Sequence, residues 1–174
     1  RLDKIVAEAK AKRAAPGGPD YDCIIPFSGG KDSTWQLWFS IRELGLKPLV
    51  ARANHWGMRP QLEANNTRTF KLLGCDVVDF KPNYHVWREL MLLGMLRRGD
   101  FCMPCHQVIA CYPMQVAVQY KIPLLFFGES TAEYTAYASF NQDDDIADEW
   151  DETRYLKIAS MGITPEDAVG MLGG

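Results

Sequence analysis

A chain of 174 residues, 47% apolar and 24% charged, has material for one domain with its own core and lacks the composition of a disordered segment. Its net charge of −3 weighs against a general nucleic-acid binder, which carries a strong basic excess. No apolar run approaches the roughly 20 residues of a membrane span, and no secretory signal opens the chain.

The opening stretch LDKIVAEAKAKRA puts Leu2, Ile5, Val6 and Ala9 on one face and is expected to form an amphipathic helix, broken by APGGPD. YDCIIPF reads as a short apolar strand. From Asp32 to Leu44 the pattern is helical, with Trp35, Leu37, Trp38 and Ile41 as packing residues and Gly45 as the stop. KPLVARAN is the second strand, with Pro48 at its beginning, where a missing N–H matters least. PQLEANNTRTFKLLG is helical, opening at Pro60 and closing at Gly74. CDVVDFKP is the third strand and NYHVWRELMLLGMLRRG the next helix. A cysteine-bearing loop follows, then the helix QVIACYPMQVAVQY, bent near Pro113, and a fourth strand, IPLLFFGES. Beyond it NQDDDIADEWDE reads as an acidic loop, followed by short helices around Tyr155 to Met161 and Pro165 to Leu172.

Apolar strands alternating with helices predict an α/β fold: an open, mostly parallel sheet with helices on both faces, Rossmann-like in arrangement. Residues 1–20 form a leading helix and linker, 21–140 the α/β domain, and 141–174 an acidic loop with terminal helices. Arg1 at the first position and MLGG at the last point to a piece of a longer protein, incomplete at both ends.

In such a sheet, ligands bind outside the carboxyl ends of the strands. The segment SGGKDS falls there, between the first strand and the helix after it. Glycines let an oxyanion approach the backbone, and a helix N-terminus offers unpaired N–H groups and a partial positive charge. Ser28, Ser33 and Thr34 add hydroxyls, and Lys31 adds a full charge. A serine-capped tight turn is the plain alternative. The mononucleotide pattern G-x-x-x-x-G-K-[ST] fails, because position 25 is isoleucine and Asp32 follows Lys31. The dinucleotide pattern G-x-G-x-x-G fails as well.

What fits is SGG-x-DS, and the segment resembles the PP-loop of the N-type ATP pyrophosphatases, which include GMP synthetase, asparagine synthetase and the tRNA thiolases. The resemblance implies cleavage of ATP between its α and β phosphates and adenylation of a substrate oxygen. It implies that Ser28, Gly29, Gly30, Lys31, Asp32 and Ser33 hold the pyrophosphate end, with Lys31 and Asp32 in catalytic roles. Asp32 is also the candidate ligand of Mg²⁺, a hard cation that takes carboxylate and phosphate oxygens.

Three blocks resemble the N-acetyl sugar amidotransferases of surface-polysaccharide (lipopolysaccharide, O-antigen) biosynthesis: YDCIIPFSGGKDSTWQ, GDFCMPCHQVIACYPMQVAVQYKIPLLFFGES and RYLKIASMGITPEDAVGML. The family's cysteine-containing beginning and its later C-terminal portion do not occur in this sequence. The likeness implies that AMP is transferred to the amide oxygen of an acetamido sugar and that ammonia then displaces it, leaving an acetamidino sugar. It implies a glutaminase partner that supplies ammonia, and a nucleotide-linked N-acetyl sugar as substrate. A homo-oligomer is compatible with it.

Glu129, after Gly128 at the end of the fourth strand, shares the ligand edge with the glycine turn. It would bind Mg²⁺, orient ammonia or touch the sugar, or else merely start a helix. Asn54, His55 and Trp56 end the second strand as candidates to frame adenine or sugar. Backbone contacts to adenine fall near Ala51 and Ala53, positions that ordinary core packing explains equally well.

Cys102 and Cys105 sit in the loop after a glycine, with His106 next and Cys111 further along. A closed zinc site needs four ligands, so the pair reads as part of a zinc or iron–sulfur site, as a redox couple, or as unligated thiols. The segment is also similar to the thiolase branch, where a C-x-x-C helps hold an iron–sulfur cluster. A tRNA or small-molecule sulfur transferase is therefore the rival reading. Against it stand Gly128-Glu129-Ser130, where cluster-using thiolases are rich in histidine and aspartate, and the acidic run Asp143 to Asp145. No nucleic-acid partner is expected. A nucleotide-binding module without turnover ranks third, since Lys31 and Asp32 are both present. Cys23 and Cys75 are expected in the core. Arg97 and Arg98 either meet a sugar-nucleotide diphosphate or form a solvated basic helix end. The free thiols and missing secretion signal place the chain in the cytoplasm.

Overall fold

The computed structural model describes residues 1–128 and 169–170. Eight elements follow in order: α1 (Leu2–Ala14), β1 (Cys23–Pro26), α2 (Lys31–Arg42), β2 (Pro48–Ala53), α3 (Pro60–Leu73), β3 (Asp76–Phe80), α4 (Tyr84–Arg98) and α5 (Met103–Gln119). The chain divides into two compact units. The first is Arg1–Pro82 with Cys111–Gly128, and the described part of the second is Asn83–Ala110 with Val169 and Gly170. The acidic loop and the short helices expected beyond it lie outside the described residues, apart from Val169 and Gly170, which are helical. Among the described residues, no helix is long and apolar enough to cross a membrane.

In the first unit, β2 pairs in parallel with β1 (Ile25↔Val50) and with β3 (Ala51↔Val78), giving the order β1-β2-β3. The open α/β sheet is therefore present, with three strands among the described residues. The expected fourth strand contributes one bridge, Ile24↔Leu125, also parallel. There the Ile24 N–H donates to Leu124 O at 2.9 Å and the Phe126 N–H to Ile24 O at 3.0 Å. Neighbouring backbone explains why the ladder stops. The Asp22 N–H turns to Lys47 O instead (2.8 Å), and Pro26 has no N–H to offer. The carbonyl of Phe126 is taken by a side chain, Gln36 Nε2, at 3.0 Å.

Alternation along the strands separates two apolar layers. Cys23, Ile25 and Phe27 with Val50 meet Val6 of α1, Leu37 of α2 and Phe70 and Leu73 of α3. Ile24, Leu49 and Ala51 meet Val116 of α5 and Ile122. Helices thus cover both faces. The leading helix belongs to this core: Val6 and Ala9 are buried, Arg13 Nε donates to buried Asp22 at 2.7 Å, and Lys10 Nζ to Leu44 O at 2.6 Å. Cys23 is fully buried, and half-buried Cys75 packs against the first layer.

Two expectations about helices need correcting. The buried residues of α2 are Ser33, Leu37 and Ser40, spaced four and three apart. Trp35 and Trp38 therefore face away, 59% and 41% exposed, and Trp35 stacks on Phe39 with centroids 4.9 Å apart. The second correction concerns α5, which begins at Met103, so Cys105 is helical rather than in a loop. Asp100 Oδ1 accepts the Cys102 N–H at 2.7 Å, Cys102 O accepts the His106 N–H at 3.0 Å, and Pro104 sits in the first turn, where its missing N–H costs nothing.

From β1 to β3 the chain steps across the sheet in one direction. It then returns to the opposite edge of β1 at 124–126. The reversal falls between β1 and that segment, and in open α/β sheets ligands bind in the crevice at such a point.

Candidate oxyanion site

The last tie between β1 and β2 is the Phe27 N–H on Ala51 O at 3.0 Å. The chain then turns through Ser28, Gly29 and Gly30 into α2. Gly29 has φ +85, a left-handed conformation open to glycine, and Gly30 is the extended N-cap. Ser33 holds the turn from inside the helix: its Oγ accepts the Gly29 N–H and donates to Gly30 O, both at 3.2 Å. That leaves Ser28 Oγ as the donor in the Ser28–Ser33 hydroxyl pair at 3.2 Å, while it accepts the Gly30 N–H at 3.4 Å. The two serines, expected to face an anion, are thus engaged within the turn itself. The free donors are backbone. Gly30 brings no side chain to cap α2, so the N–H groups of Lys31, Asp32 and Ser33 have no acceptor within the helix.

Lys31 and Asp32 project from this first turn and pair with each other, Nζ to Oδ1 at 2.7 Å and to Oδ2 at 3.0 Å. Their side chains are 90% and 73% exposed. A pair so exposed contributes about 0–1 kcal/mol, so exchanging it for other partners costs little. Asp32 fits Mg²⁺, which is held by one or two carboxylates when substrate phosphates supply further oxygens.

Two side chains not anticipated from the sequence stand out, Asn66 against the turn and Gln36 further along α2. Asn66 of α3 is 1% exposed and lies against Gly29, where an added Cβ would meet its carboxamide, with Cγ at 2.9 Å. Its Nδ2 has no hydrogen-bond partner. Gln36 donates to Phe126 O, and its buried Oε1 is unpartnered, 3.1 Å from where a Cβ on Gly128 would stand. Gly128 thus lies beside Gln36. Glu129 lies outside the described residues.

At the end of β2, half-buried Ala53 pairs with Phe80, and the Asn54 N–H donates to Phe80 O at 2.8 Å. Asn54 Oδ1 accepts the Trp56 N–H at 3.3 Å. Trp56 has φ +65, rare outside glycine. Its Nε1 donates to Pro82 O at 2.8 Å, and Lys81 Nζ sits 4.0 Å from its ring centroid. Behind this edge Arg52 joins three elements. Its Nη1 donates to Glu63 Oε2 at 2.6 Å, and its Nε and Nη2 grip Asp79 at 3.2 and 2.5 Å. Burial opposes the guanidinium charge, but the hydrogen bonds from Asp79 and Glu63 outweigh it and move the pKa up.

In the second unit, Cys102 and Cys105 are half-buried. Burial, then the nearby Cys102 and Asp100, pushes the Cys105 thiol up to about 11. Among the described residues, no three His, Cys, Asp or Glu side chains gather as a metal site. The pair offers two donors where a closed zinc or cluster site needs four. Arg97 is exposed at the end of α4, and the Arg98 side chain lies outside the described residues.

No family model matches this chain, and no curated protein matches it.

Proposed function

We propose that the protein is an ATP-dependent, AMP-forming amidotransferase acting on an N-acetyl sugar. One observation supports the nucleotide half of this reading: a glycine turn at the sheet's reversal point that leads into an uncapped helix N-terminus. Backbone N–H groups of Lys31, Asp32 and Ser33 take the pyrophosphate oxygens, and the helix dipole favours the negative charge that leaves with them. Lys31 exchanges Asp32 for a phosphate, and the freed Asp32 carboxylate would hold Mg²⁺, which when bound would neutralise charge on the phosphates. The three sequence blocks support the sugar half. The acetamido oxygen attacks the α-phosphorus and pyrophosphate leaves. Ammonia then adds to the imidate carbon, and AMP departs with the former amide oxygen, leaving the acetamidino sugar. A glutaminase supplies the ammonia, and Glu129 orients it or holds Mg²⁺. The setting is cytoplasmic, with no nucleic-acid partner.

The test incubates the protein, its glutaminase and ATP with UDP-linked acetamido sugars and follows AMP. Sugar-dependent AMP is expected, and Asp32→Ala should abolish it with an unchanged melting temperature. ADP as the product, or AMP that needs sulfide and tRNA while ignoring sugar, would reject the assignment.

A further inference from the structure

The geometry points to Asn66 as a binding residue of the oxyanion turn, its Nδ2 donating to an oxygen of the pyrophosphate group held there. This rests on the reading of the turn given above. Buried side-chain donors almost always have partners, and Asn66 is 1% exposed with Nδ2 unpaired. A solvent-facing asparagine would satisfy itself with water; this one is closed off and pressed against Gly29. Glycine at 29 leaves the space where a side chain would otherwise stand between the amide and the turn: Oδ1 is the amide atom nearest that Cβ position, and Nδ2 follows at 2.8 Å. The other donors of the turn are backbone N–H groups of α2, which approach from the helix. Asn66 belongs to α3 and brings a donor from a separate element. A tetrahedral oxyanion with several oxygens can engage both directions, whereas a carboxylate presents only two oxygens in one plane. The arrangement therefore favours phosphoryl ligands over carboxylates.

Inorganic pyrophosphate is the probe, titrated calorimetrically into the full 174-residue chain and into the Asn66→Asp and Asn66→Ala variants. Wild type should bind, with acetate far weaker. A lost hydrogen bond to a charged group corresponds to about tenfold or more in affinity, which is the expected loss for Asn66→Ala. Asn66→Asp, nearly isosteric, should lose more at neutral pH, because its carboxylate faces the anion. Its affinity relative to wild type should recover as the pH is lowered and that carboxyl takes a proton. A merely structural asparagine predicts no such pH-dependent recovery. Independently of any variant's folding, the side-chain amide resonances of Asn66 in wild type should shift when pyrophosphate is added. Variants that bind like wild type, or an amide resonance that does not move, would overturn the assignment of Asn66 alone. A wild-type chain that binds neither pyrophosphate nor ATP would remove the site itself, and Asn66's role with it.

Discussion

A methyl group at position 29 meets two obstacles at once. The backbone there is left-handed, which costs an L-residue about 1–2 kcal/mol, and the new Cβ would run into the Asn66 amide. Gly74 is equally left-handed, φ +67, yet nothing lies within 4 Å of its Cβ position. Gly74→Ala should therefore show the conformational cost alone, and Gly29→Ala a larger loss in urea unfolding together with loss of pyrophosphate binding. Equal losses would show that the amide yields without resistance. Titration is also a residue-scale matter. Burial pushes Cys23 up to about 12, and burial with the Asp76 hydrogen bond does the same to Tyr21. Cys105 stands at about 11. In the unfolded chain these groups lose protons at lower pH, so over the alkaline range the folded state binds more protons. Their contribution to stability is full below about pH 9 and falls as pH rises towards 12. Urea midpoints should decline steadily across that window, and a flat profile would mean the groups ionise within the fold. Sequence alone singles out the glycines but not Asn66. In QLEANNTR it stands among polar neighbours and reads as solvent-facing, and only the packing of α3 on the turn buries it.

Arg52 shows what one side chain does for three elements. It leaves β2 at 9% exposure and ties the first turn of α3 to β3 through Glu63 and Asp79. Arg52→Met should keep most of the packing volume while leaving two carboxylates facing each other. Because those partners are about a third exposed, water softens the penalty, and a loss of about 1–2 kcal/mol is expected from chemical denaturation. No measurable change would reduce the triad to a surface contact. In the sequence Arg52 is a lone charge inside an apolar run, which marks a strand but not its partners. Element ends were the hardest to read. The apolar run at 122–127 promises a full strand, yet hydrogen bonds committed elsewhere, at Asp22 and Phe126, and the missing N–H of Pro26 limit it to a bridge. Those constraints belong to other parts of the chain. The helix starts were clearer where the signal is local: Pro60 opens α3, and Gly74 closes it.

At the scale of the first unit, alternating apolar strands and helices were enough to predict the parallel sheet and its two covered faces. The leading helix was legible as amphipathic, and Val6 and Ala9 on its expected apolar face are buried, but its polar anchor was not. Val6 lies in the main apolar layer, and Arg13 partners the carboxylate of Asp22, which is 1% exposed. Removing residues 1–15 should then cost at least about 2–3 kcal/mol, from uncovered apolar surface and a buried carboxylate left short of its cation. The urea midpoint of the shortened chain measures this, and an unchanged midpoint would make the helix an appendage. The hydrogen bond from Gln36 to the carbonyl of Phe126 joins residues 90 positions apart. A ribosome delivers the glycine turn long before it delivers the opposite wall of the crevice. The half-made polypeptide has the glycine turn but not its opposite wall, and the tie from Gln36 forms only once translation has passed Phe126.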